Sequence, residues 1–424
     1  MSCFTVSNMT RNVGKGKDTC AICGRCVTKN LLSLGEQPLA NNLKVDSFAS
    51  LSSDKYDLSL KMCGYCLYVG LRTIVEPSIL FSENTYLTGV SSQTVRDLKD
   101  FVTDSIETCH LSESSKVIDV ASNDGTLLSF FKERRMETLG IDPSTPAFEI
   151  ALKRGINTIN SFFDDEAVEV ILTTNGKADL ITMTNIITHV AHPKNFLNNA
   201  KRLMKEDGSI VMEFYYFESM INNGAFDQIY HEHVSYFNLR SFINLLAHVN
   251  LEAYKVELVN SQGGSLRVFA GLPGRNGVDK SVLKMLEAEG DEETITRRYN
   301  AFAKKIMRNR RIAMKELIKL KRSGFKIAGY GASAKATVLI NYLKLDSTYV
   351  SAIADRNVLK IGKFIPGTDI PIIDPDQLTA LNPDIIIIFS WNIKDEIYKQ
   401  LSEVFGDSVR YLTLIPTIKY MQGD

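Results

Sequence analysis

The sequence predicts an α/β protein in which a small cysteine-rich lobe precedes two Rossmann-like domains. Three observations support this prediction. Five of the seven cysteines lie between positions 20 and 66. Apolar strand-like segments alternate with helix-like segments through residues 110–270, and a second series of this kind begins at residue 325. We therefore predict four parts, with boundaries at residues 1–80, 81–275, 276–323 and 324–424.

The composition limits the classes of partner. The chain has 424 residues, 44% of them hydrophobic and 23% charged, which excludes a disordered chain, a collagen-like chain and a coiled-coil rod. Its 49 basic and 49 acidic residues give a formal net charge of zero, so we expect no nucleic-acid or membrane partner. No segment reaches the roughly 20 apolar residues that cross a bilayer, and the N-terminus has no apolar signal-peptide core. We predict a cytoplasmic protein that is a monomer or a weak homodimer.

The clustered cysteines form Cys-x-x-Cys pairs in CAICGRC at 20–26 and in KMCGYC at 61–66. Thiols in a cytosolic chain stay reduced, so this spacing indicates metal ligands rather than disulfides. Zinc takes four ligands in a closed structural site, and the predicted ligands are Cys20, Cys23, Cys63 and Cys66. Cys26 has the spacing to replace Cys20, but Gly24 after Cys23 suits the tight turn of a zinc knuckle. A redox centre fits poorly because two pairs are present.

Residues 116–142 predict a strand, a turn of small residues, a helix and a second strand that ends in Asp142. In such a unit the cofactor lies over the end of the first strand, and the acid after the second strand binds ribose hydroxyls. The turn lacks the GxGxxG pattern that approaches a pyrophosphate, which favours a cofactor without phosphates. The arrangement is similar to the S-adenosylmethionine site of class I methyltransferases, with another nucleoside as the alternative. The predicted contacts are Asp119, Ala121, Ser122, Asn123, Gly125, Asp142 and Asn185.

A histidine cluster accompanies the ends of two strands of this predicted sheet, where ligands bind in open α/β folds. Four of the six histidines in the chain are His189, His192, His231 and His233. The segment 229–239 is the densest, because it also contains Tyr230 and Glu232. Histidine titrates near neutrality, so the cluster predicts acid–base chemistry. The His-x-His spacing leaves a metal site open, and any single histidine here can also be an ordinary hydrogen-bonded side chain.

The order of the motifs is more specific than any one of them. It runs CxxCG, LGEQPLANNL, CGYC, TYLTGVS, VIDVASNDGTLL, NIITHVAHP, YHEHVSYFNL, QGGSLRVF and PGTDIPI. The series resembles the family of nucleotide-sugar C-methyltransferases from deoxysugar pathways, which methylate the third carbon of a 4-keto-hexose attached to thymidine diphosphate. The resemblance covers the chain from Cys20 to about Pro416. It implies a zinc-binding lobe, a central class I domain that binds S-adenosylmethionine, and a C-terminal α/β domain that helps to enclose the sugar nucleotide.

The resemblance also implies roles for individual residues. His233 corresponds to the proposed base of the family, and the residues that correspond to groups around the sugar are Tyr230, Glu232, His189 and Tyr86. A ketone at the fourth carbon acidifies the neighbouring C–H bond, so a base forms an enolate whose carbon attacks the sulfonium methyl group, and no metal is required. A positioned base contributes about 10²–10⁴-fold in rate. Tyr230 is an alternative base, and either His189 or Tyr230 would hydrogen-bond the enolate oxygen.

The last third of the chain predicts a long helix and a second α/β domain. Residues 295–320 repeat apolar side chains at spacings of three, four and seven, which indicates one amphipathic helix. Its opposite face is rich in lysine and arginine and is expected to be solvated. Residues 325–343 then predict a strand, a glycine turn and a helix. At this turn Tyr330, Ser333 and Lys335 are candidate contacts for a substrate diphosphate, with a purely structural turn as the alternative.

Two other functions stay open at this level. A related methyltransferase that acts on oxygen or nitrogen of a sugar nucleotide would leave the hydrogen of the third carbon in place. A zinc knuckle combined with a basic helix would suit a nucleic-acid-binding module, although the zero net charge argues against it. Thymidine and guanosine diphosphate sugars both satisfy the pattern, and Cys3 and Cys109 have no predicted role.

Overall fold

A computed structural model describes residues 14–15, 19–25, 28–81, 87–90 and 92–421. The strands within these ranges form four sheets, of two, four, six and seven strands. Within the same ranges, no helix is both long and apolar enough to span a membrane.

The N-terminal lobe is built on antiparallel strands. Its elements are β1 (Gly14–Lys15), β2 (Thr28–Pro38), α1 (Ser47–Leu51), β3 (Lys55–Cys63), β4 (Val69–Leu71), β5 (Thr73–Ile74) and α2 (Pro77–Phe81). Strand β3 pairs with both β2 and β4, and β1 pairs with β5. Leu58, Leu60 and Met62 alternate along β3, so they point to one face of the sheet and are buried there.

The central part of the chain forms the seven-stranded sheet. Its elements are α3 (Ser92–Thr108), β6 (Lys116–Val120), α4 (Thr126–Lys132), β7 (Glu137–Ile141), α5 (Thr145–Lys153), β8 (Thr158–Ile159), α6 (Asp165–Thr174), β9 (Ala178–Thr184), α7 (Pro193–Leu203), β10 (Met204–Tyr215), α8 (Phe217–Asn223), β11 (Ser235–Tyr236), α9 (Leu239–His248), β12 (Glu252–Val259) and β13 (Ser265–Gly271). The strand order is β12-β13-β10-β9-β6-β7-β8. Strands β6 to β10 in this sheet are parallel, whereas β13 is antiparallel to both of its neighbours. The order reverses between β6 and β9, which opens a crevice at their carboxyl ends.

Strand β11 does not join the sheet of the chain segment that contains it. It pairs with β4, so the lobe sheet has the order β11-β4-β3-β2. The preceding residue Val234 accepts a hydrogen bond from the Leu71 amide at 2.9 Å and donates one to the Thr188 carbonyl at 2.8 Å. The histidine-rich segment is therefore held between the lobe and the central sheet.

The last third of the chain forms the long helix and the third large sheet. Its elements are α10 (Lys280–Glu289), α11 (Glu292–Arg322), β14 (Ile327–Tyr330), α12 (Ala334–Leu343), β15 (Ile353–Ala354), β16 (Ile372–Ile373), α13 (Leu378–Leu381), β17 (Ile385–Ile388), α14 (Lys394–Phe405), β18 (Arg410–Thr413) and β19 (Lys419–Met421). The strand order is β16-β15-β14-β17-β18-β19, and all pairs are parallel except β18 with β19. The predicted long helix is confirmed: α11 has 31 residues, and its apolar stripe from Ile295 to Leu320 is buried.

The lobe and the C-terminal sheet contact each other directly. Lys44 and Phe364 form an antiparallel bridge, and the Gly367 amide donates to the Ser50 carbonyl at 3.0 Å. At the start of α12, the Thr337 hydroxyl donates to the carbonyl of Ala40 at 3.0 Å. These contacts fix the N-terminus of α12 beside the lobe, above the crevice of the central sheet.

Candidate active site

The four predicted zinc ligands come together in the lobe. Their Sγ atoms all lie within 4.8 Å of one another, with 3.4 Å between Cys20 and Cys66 and 3.6 Å between Cys23 and Cys63. A tetrahedral zinc with bonds of about 2.3 Å holds its sulfur atoms about 3.8 Å apart, so this geometry fits the metal. Cys26 lies outside the described residues.

The thiols also show why a cation suits this site. A hydrogen bond with Cys66 lowers the pKa of Cys20 to about 5, while the same bond raises the pKa of Cys66. Without a cation, ionisation of one thiol therefore opposes ionisation of the next, whereas zinc binds all four as thiolates. Within the described ranges, this is the one group of histidine, cysteine or acidic side chains with metal-binding geometry.

The zinc site supports the active site from a distance. None of the four cysteines lines the large cavity of the central domain. Two residues after Cys66, the Tyr68 hydroxyl lies 2.7 Å from the hydroxyl of Ser235 in β11. The metal thus stabilises the lobe that holds β11, and a closed four-thiolate site leaves no position for a substrate.

A cavity of about 890 Å³ follows the crevice and extends to the N-terminus of α12. Twelve predicted site residues line it, namely Asp119, Ala121, Ser122, Asn123, Asp142, Asn185, His189, Tyr230, Glu232, His233, Ser333 and Lys335. Gly125 and Tyr330 do not line it, and Tyr86 lies outside the described residues. The structure therefore brings residues of the central and C-terminal parts to one site.

One end of the cavity suits a nucleoside. Ala121 and Asn123 both have positive φ angles, of 61° and 50°, which turns the backbone sharply after β6. The Asp142 carboxylate follows β7 and accepts hydrogen bonds from the amides of Asn123 and Ser144, each at 2.8 Å. Each carboxylate oxygen keeps a further lone pair for a ribose hydroxyl. Burial raises the pKa of Asp142.

Two further predicted residues help to shape this end of the cavity. Asp119 is buried, accepts a hydrogen bond from the Thr182 hydroxyl at 2.7 Å, and has its pKa raised by burial to about 7. Gly125 precedes α4 with φ at 73°, and a Cβ atom there would lie 3.1 Å from Ile156. Glycine is therefore needed for the turn itself rather than for contact with a ligand.

The other end of the cavity carries the histidines. The ring of His233 lies 4.9 Å from that of His189 and 4.1 Å from that of Tyr230, measured between centroids. His233 Nδ1 donates to the Gln228 carbonyl at 2.7 Å, since a carbonyl can only accept. The neutral ring therefore presents an unprotonated Nε2, which is the form of a general base.

Burial and the neighbouring charges keep the His233 ring neutral. Burial, the neighbouring His189 and the Lys335 ammonium lower the pKa of His233 well below its ordinary value. Burial also lowers the pKa of His189, to about 4, and raises the pKa of Glu232 to about 6. At neutral pH both imidazoles are uncharged, and Glu232 accepts a 2.6 Å hydrogen bond from the Asn41 side chain.

The other member of the His-x-His pair faces elsewhere. His231 is buried against the lobe, where its Nε2 lies 3.3 Å from the Tyr56 carbonyl and its ring contacts that of Tyr56 edge-on. Because His231 and His233 have different neighbours, the pair does not form a metal site. The ordinary hydrogen-bonded role fits His231.

Sequence reasoning missed several groups at the site. Asn41 belongs to the motif LGEQPLANNL, but nothing in that motif marks it as the partner of Glu232. The amide and hydroxyl of Thr88 both donate to the Asn123 side chain, at 2.9 and 3.1 Å. Gln228 acts through its backbone carbonyl, which no side-chain pattern reveals.

The fold and the site together define a class I S-adenosylmethionine-dependent methyltransferase. The cavity lies at the carboxyl ends of β6 and β7, with an acid after β7 and no glycine-rich phosphate loop. Residues 93–256 match the family model described as "Methyltransferase domain", and residues 20–81 match "Putative zinc binding domain". Residues 260–416 match "C-methyltransferase C-terminal domain".

The chain belongs to the C-methyltransferase family. It is 30% identical over 410 residues to the C-methyltransferase NovU of Streptomyces niveus, an alignment that covers 96% of this chain and 97% of that protein. The protein is therefore an S-adenosylmethionine-dependent C-methyltransferase with a zinc-binding lobe.

Solved structures resemble part of the chain. A methyltransferase from Clostridium acetobutylicum is 14% identical with a TM-score of 0.34, and the match covers 46% of this chain and 96% of that one. A methyltransferase from Archaeoglobus fulgidus is 15% identical with a TM-score of 0.35, covering 46% of this chain and 99% of that one. These scores are low, and the assignment rests on the strand order and the matched family models.

Proposed function

We propose that the protein transfers a methyl group from S-adenosylmethionine to the third carbon of a 4-keto-deoxyhexose attached to a nucleoside diphosphate, with thymidine diphosphate as the preferred nucleotide. The reaction belongs to branched deoxysugar synthesis in the cytoplasm. The observation that carries the proposal is the base: His233 presents an unprotonated Nε2 in the cavity that also contains the nucleoside-binding end. A methyltransferase acting on carbon needs such a base, because a C–H bond must first lose its proton.

The residues of the chain divide this task. His233 Nε2 accepts the proton of the third carbon, and His189 and Tyr230 lie close enough to bind the sugar around it. The low pKa of His233 keeps the ring free of a proton before the reaction. A positioned base of this kind contributes about 10²–10⁴-fold in rate, and Tyr230 is the alternative base.

The donor end holds the second reactant. S-adenosylmethionine, when bound, supplies an electrophilic methyl group on its sulfonium. Asp142 would bind the ribose hydroxyls, while the small side chains of Ala121 and Ser122 leave room for the donor along the turn. The donor would then lie between the turn after β6 and the histidines, where alignment of the reacting atoms within about 3–3.5 Å would lower the barrier.

The diphosphate end is proposed at the start of α12. Ser333 and Lys335 line the cavity there, and the free amides of a helix N-terminus bind phosphate oxygens. The side chain of Tyr330 does not reach the cavity, so its sequence-based role as a substrate contact has no structural support. The role of Tyr86 stays a prediction.

An isotope experiment tests the proposal. A thymidine diphosphate 4-keto-6-deoxyhexose with deuterium at its third carbon is incubated with the protein and S-adenosylmethionine, and the product is analysed by mass spectrometry and NMR. We expect a methyl group on the third carbon and complete loss of deuterium. The variant His233→Ala should neither methylate the substrate nor release its deuterium. The control His248→Ala, at an exposed position in α9, should do both.

A methylated product that keeps its deuterium would contradict the proposal and indicate methylation on oxygen or nitrogen. Failure to accept any thymidine diphosphate sugar, combined with turnover of the guanosine diphosphate analogue, would contradict only the choice of nucleotide.

A further inference from the structure

Lys335 occupies an unfavourable position for a lysine. It is the second residue of α12, where the helix dipole is positive and a cation is destabilising. Its side chain lines the cavity, and burial lowers its pKa. A charged group in such a place needs compensation from its surroundings, and positions that break local rules are often functional.

The compensation comes from the turn that packs against α12. Helix α12 contacts the turn Phe226–Gln228, and the rings of Phe226 and Tyr342 lie 5.4 Å apart. Within this turn Asp227 is completely buried. Burial raises the pKa of Asp227 to about 6, and attraction to the Lys335 ammonium acts in the opposite direction.

A further partner of Asp227 comes from the C-terminal part of the chain. The indole Nε1 of Trp391, in the turn after β17, donates to Asp227 Oδ2 at 2.8 Å. The other carboxylate oxygen, Oδ1, makes no hydrogen bond with the described residues. The indole is a neutral donor, so it leaves the negative charge of the carboxylate uncompensated, and this charge attracts the ammonium of Lys335.

The same turn also holds the base. Asp227 interacts with Lys335, while the next residue, Gln228, accepts the hydrogen bond from His233 Nδ1. This turn therefore carries a buried carboxylate that attracts the cation and, at the next residue, the carbonyl that orients the base. A base that removes a proton next to a ketone and a group that stabilises the resulting oxyanion must converge on adjacent atoms of the substrate.

We propose that Lys335 is the group that stabilises the enolate oxygen, and that Asp227, itself held by Trp391, is a positioning residue that keeps its ammonium charged. This inference rests on the proposed function and replaces the diphosphate role that the sequence predicts for Lys335. As the C–H bond breaks, His233 Nε2 takes the proton, the carbon–carbon double bond forms, and the carbonyl π electrons move to the oxygen. Lys335 donates a hydrogen bond to that oxygen and keeps its own proton.

Kinetics and binding separate the two roles for Lys335. Removing one donor to an oxyanion typically lowers kcat by about 10²–10³-fold. We expect this loss in Lys335→Met, together with an unchanged Kd for thymidine diphosphate, which lacks the ketone. Lys315→Met, on the exposed face of α11, is the matched control. A weakened Kd for thymidine diphosphate with unchanged kcat would overturn the proposal and assign Lys335 to the diphosphate.

Deuterium loss from the third carbon keeps this test apart from that of the proposed function. If the wild-type protein leaves the deuterium in place, the proposed function is wrong, and the proposed role of Lys335 is wrong with it. If the wild type and Lys335→Met lose deuterium at the same rate, only the proposed role of Lys335 is wrong.

A double-mutant comparison tests the positioning role. Asp227→Asn leaves the ammonium of Lys335 without its counter-ion, so we expect a lower Tm and a lower kcat with unchanged binding of thymidine diphosphate. Combining it with Lys335→Met removes the uncompensated charge, which should restore Tm but not kcat. Recovery of kcat in the double variant would show a merely structural pair, and additive effects on Tm would show that the two groups do not interact. Either result would overturn the positioning role.

Discussion

The buried carboxyl of Asp119 makes a quantitative prediction about stability. Its pKa is raised by burial from 3.8 to about 7, and its side chain is only 2% exposed. A carboxyl whose pKa is higher in the folded state binds protons more tightly there, so it costs no stability below about pH 4 and increasingly destabilises the fold as pH rises toward 7. At 1.36 kcal/mol per pKa unit, the full cost above pH 7 is about 4 kcal/mol.

The substitution Asp119→Asn removes this pH dependence. Relative to wild type, we expect the variant to gain about 3 kcal/mol of stability between pH 5 and pH 8, measured by calorimetry on the transition of the central domain. The comparison across pH cancels any constant effect on the hydrogen bond with Thr182, which an amide oxygen can still accept. The control Asp100→Asn changes an exposed carboxyl in α3. Equal stability differences at pH 5 and pH 8 would refute the reasoning, because they would mean that Asp119 titrates normally.

Three other predictions concern the metal, the donor and the core. Cys63→Ser should lower zinc content and Tm together, whereas Cys109→Ser should leave zinc content unchanged; full zinc occupancy in the first variant would show that the ligands are assigned wrongly. Asp142→Ala should weaken binding of S-adenosylhomocysteine by about 10- to 100-fold in calorimetric titration, because a hydrogen bond to a charged group is lost, and should not affect thymidine diphosphate. Arg267 is buried and donates to the Glu213 carboxylate at 2.8 and 2.9 Å, so Arg267→Met should destabilise the fold by about 3–5 kcal/mol in a urea titration.

Much of the fold was predictable because it depends on long, regular patterns. The apolar repeat from Ile295 to Leu320 extends over many turns, and it corresponds to the buried stripe of α11. The cysteine pairs were equally informative, since ligand type and spacing are set by the metal. Asp142 could be placed because an acid after the second strand of a βαβ unit has one usual position. The predicted domain boundaries stay predictions.

Other parts of the site depend on contacts between distant segments, which local patterns do not encode. Strand β11 has only two residues, too few for a periodicity that would assign it to a sheet. The orientation of His233 is set by a backbone carbonyl, and every residue has one. Lys335 fits a phosphate-binding helix start by sequence, and only the neighbouring Asp227 and Trp391 suggest a different role.

The pairing of β11 with β4 affects how this chain can be divided or recombined. Removal of residues 1–80 would delete β4 and leave the backbone of β11, next to His233, without its partner strand. A chimaera that exchanges lobes between relatives must therefore exchange residues 229–239 as well, although they lie some 150 positions further along the chain. Substitutions in β4 and in the histidine segment are expected to covary. The unit that can be exchanged between relatives is therefore the whole lobe sheet rather than the contiguous lobe.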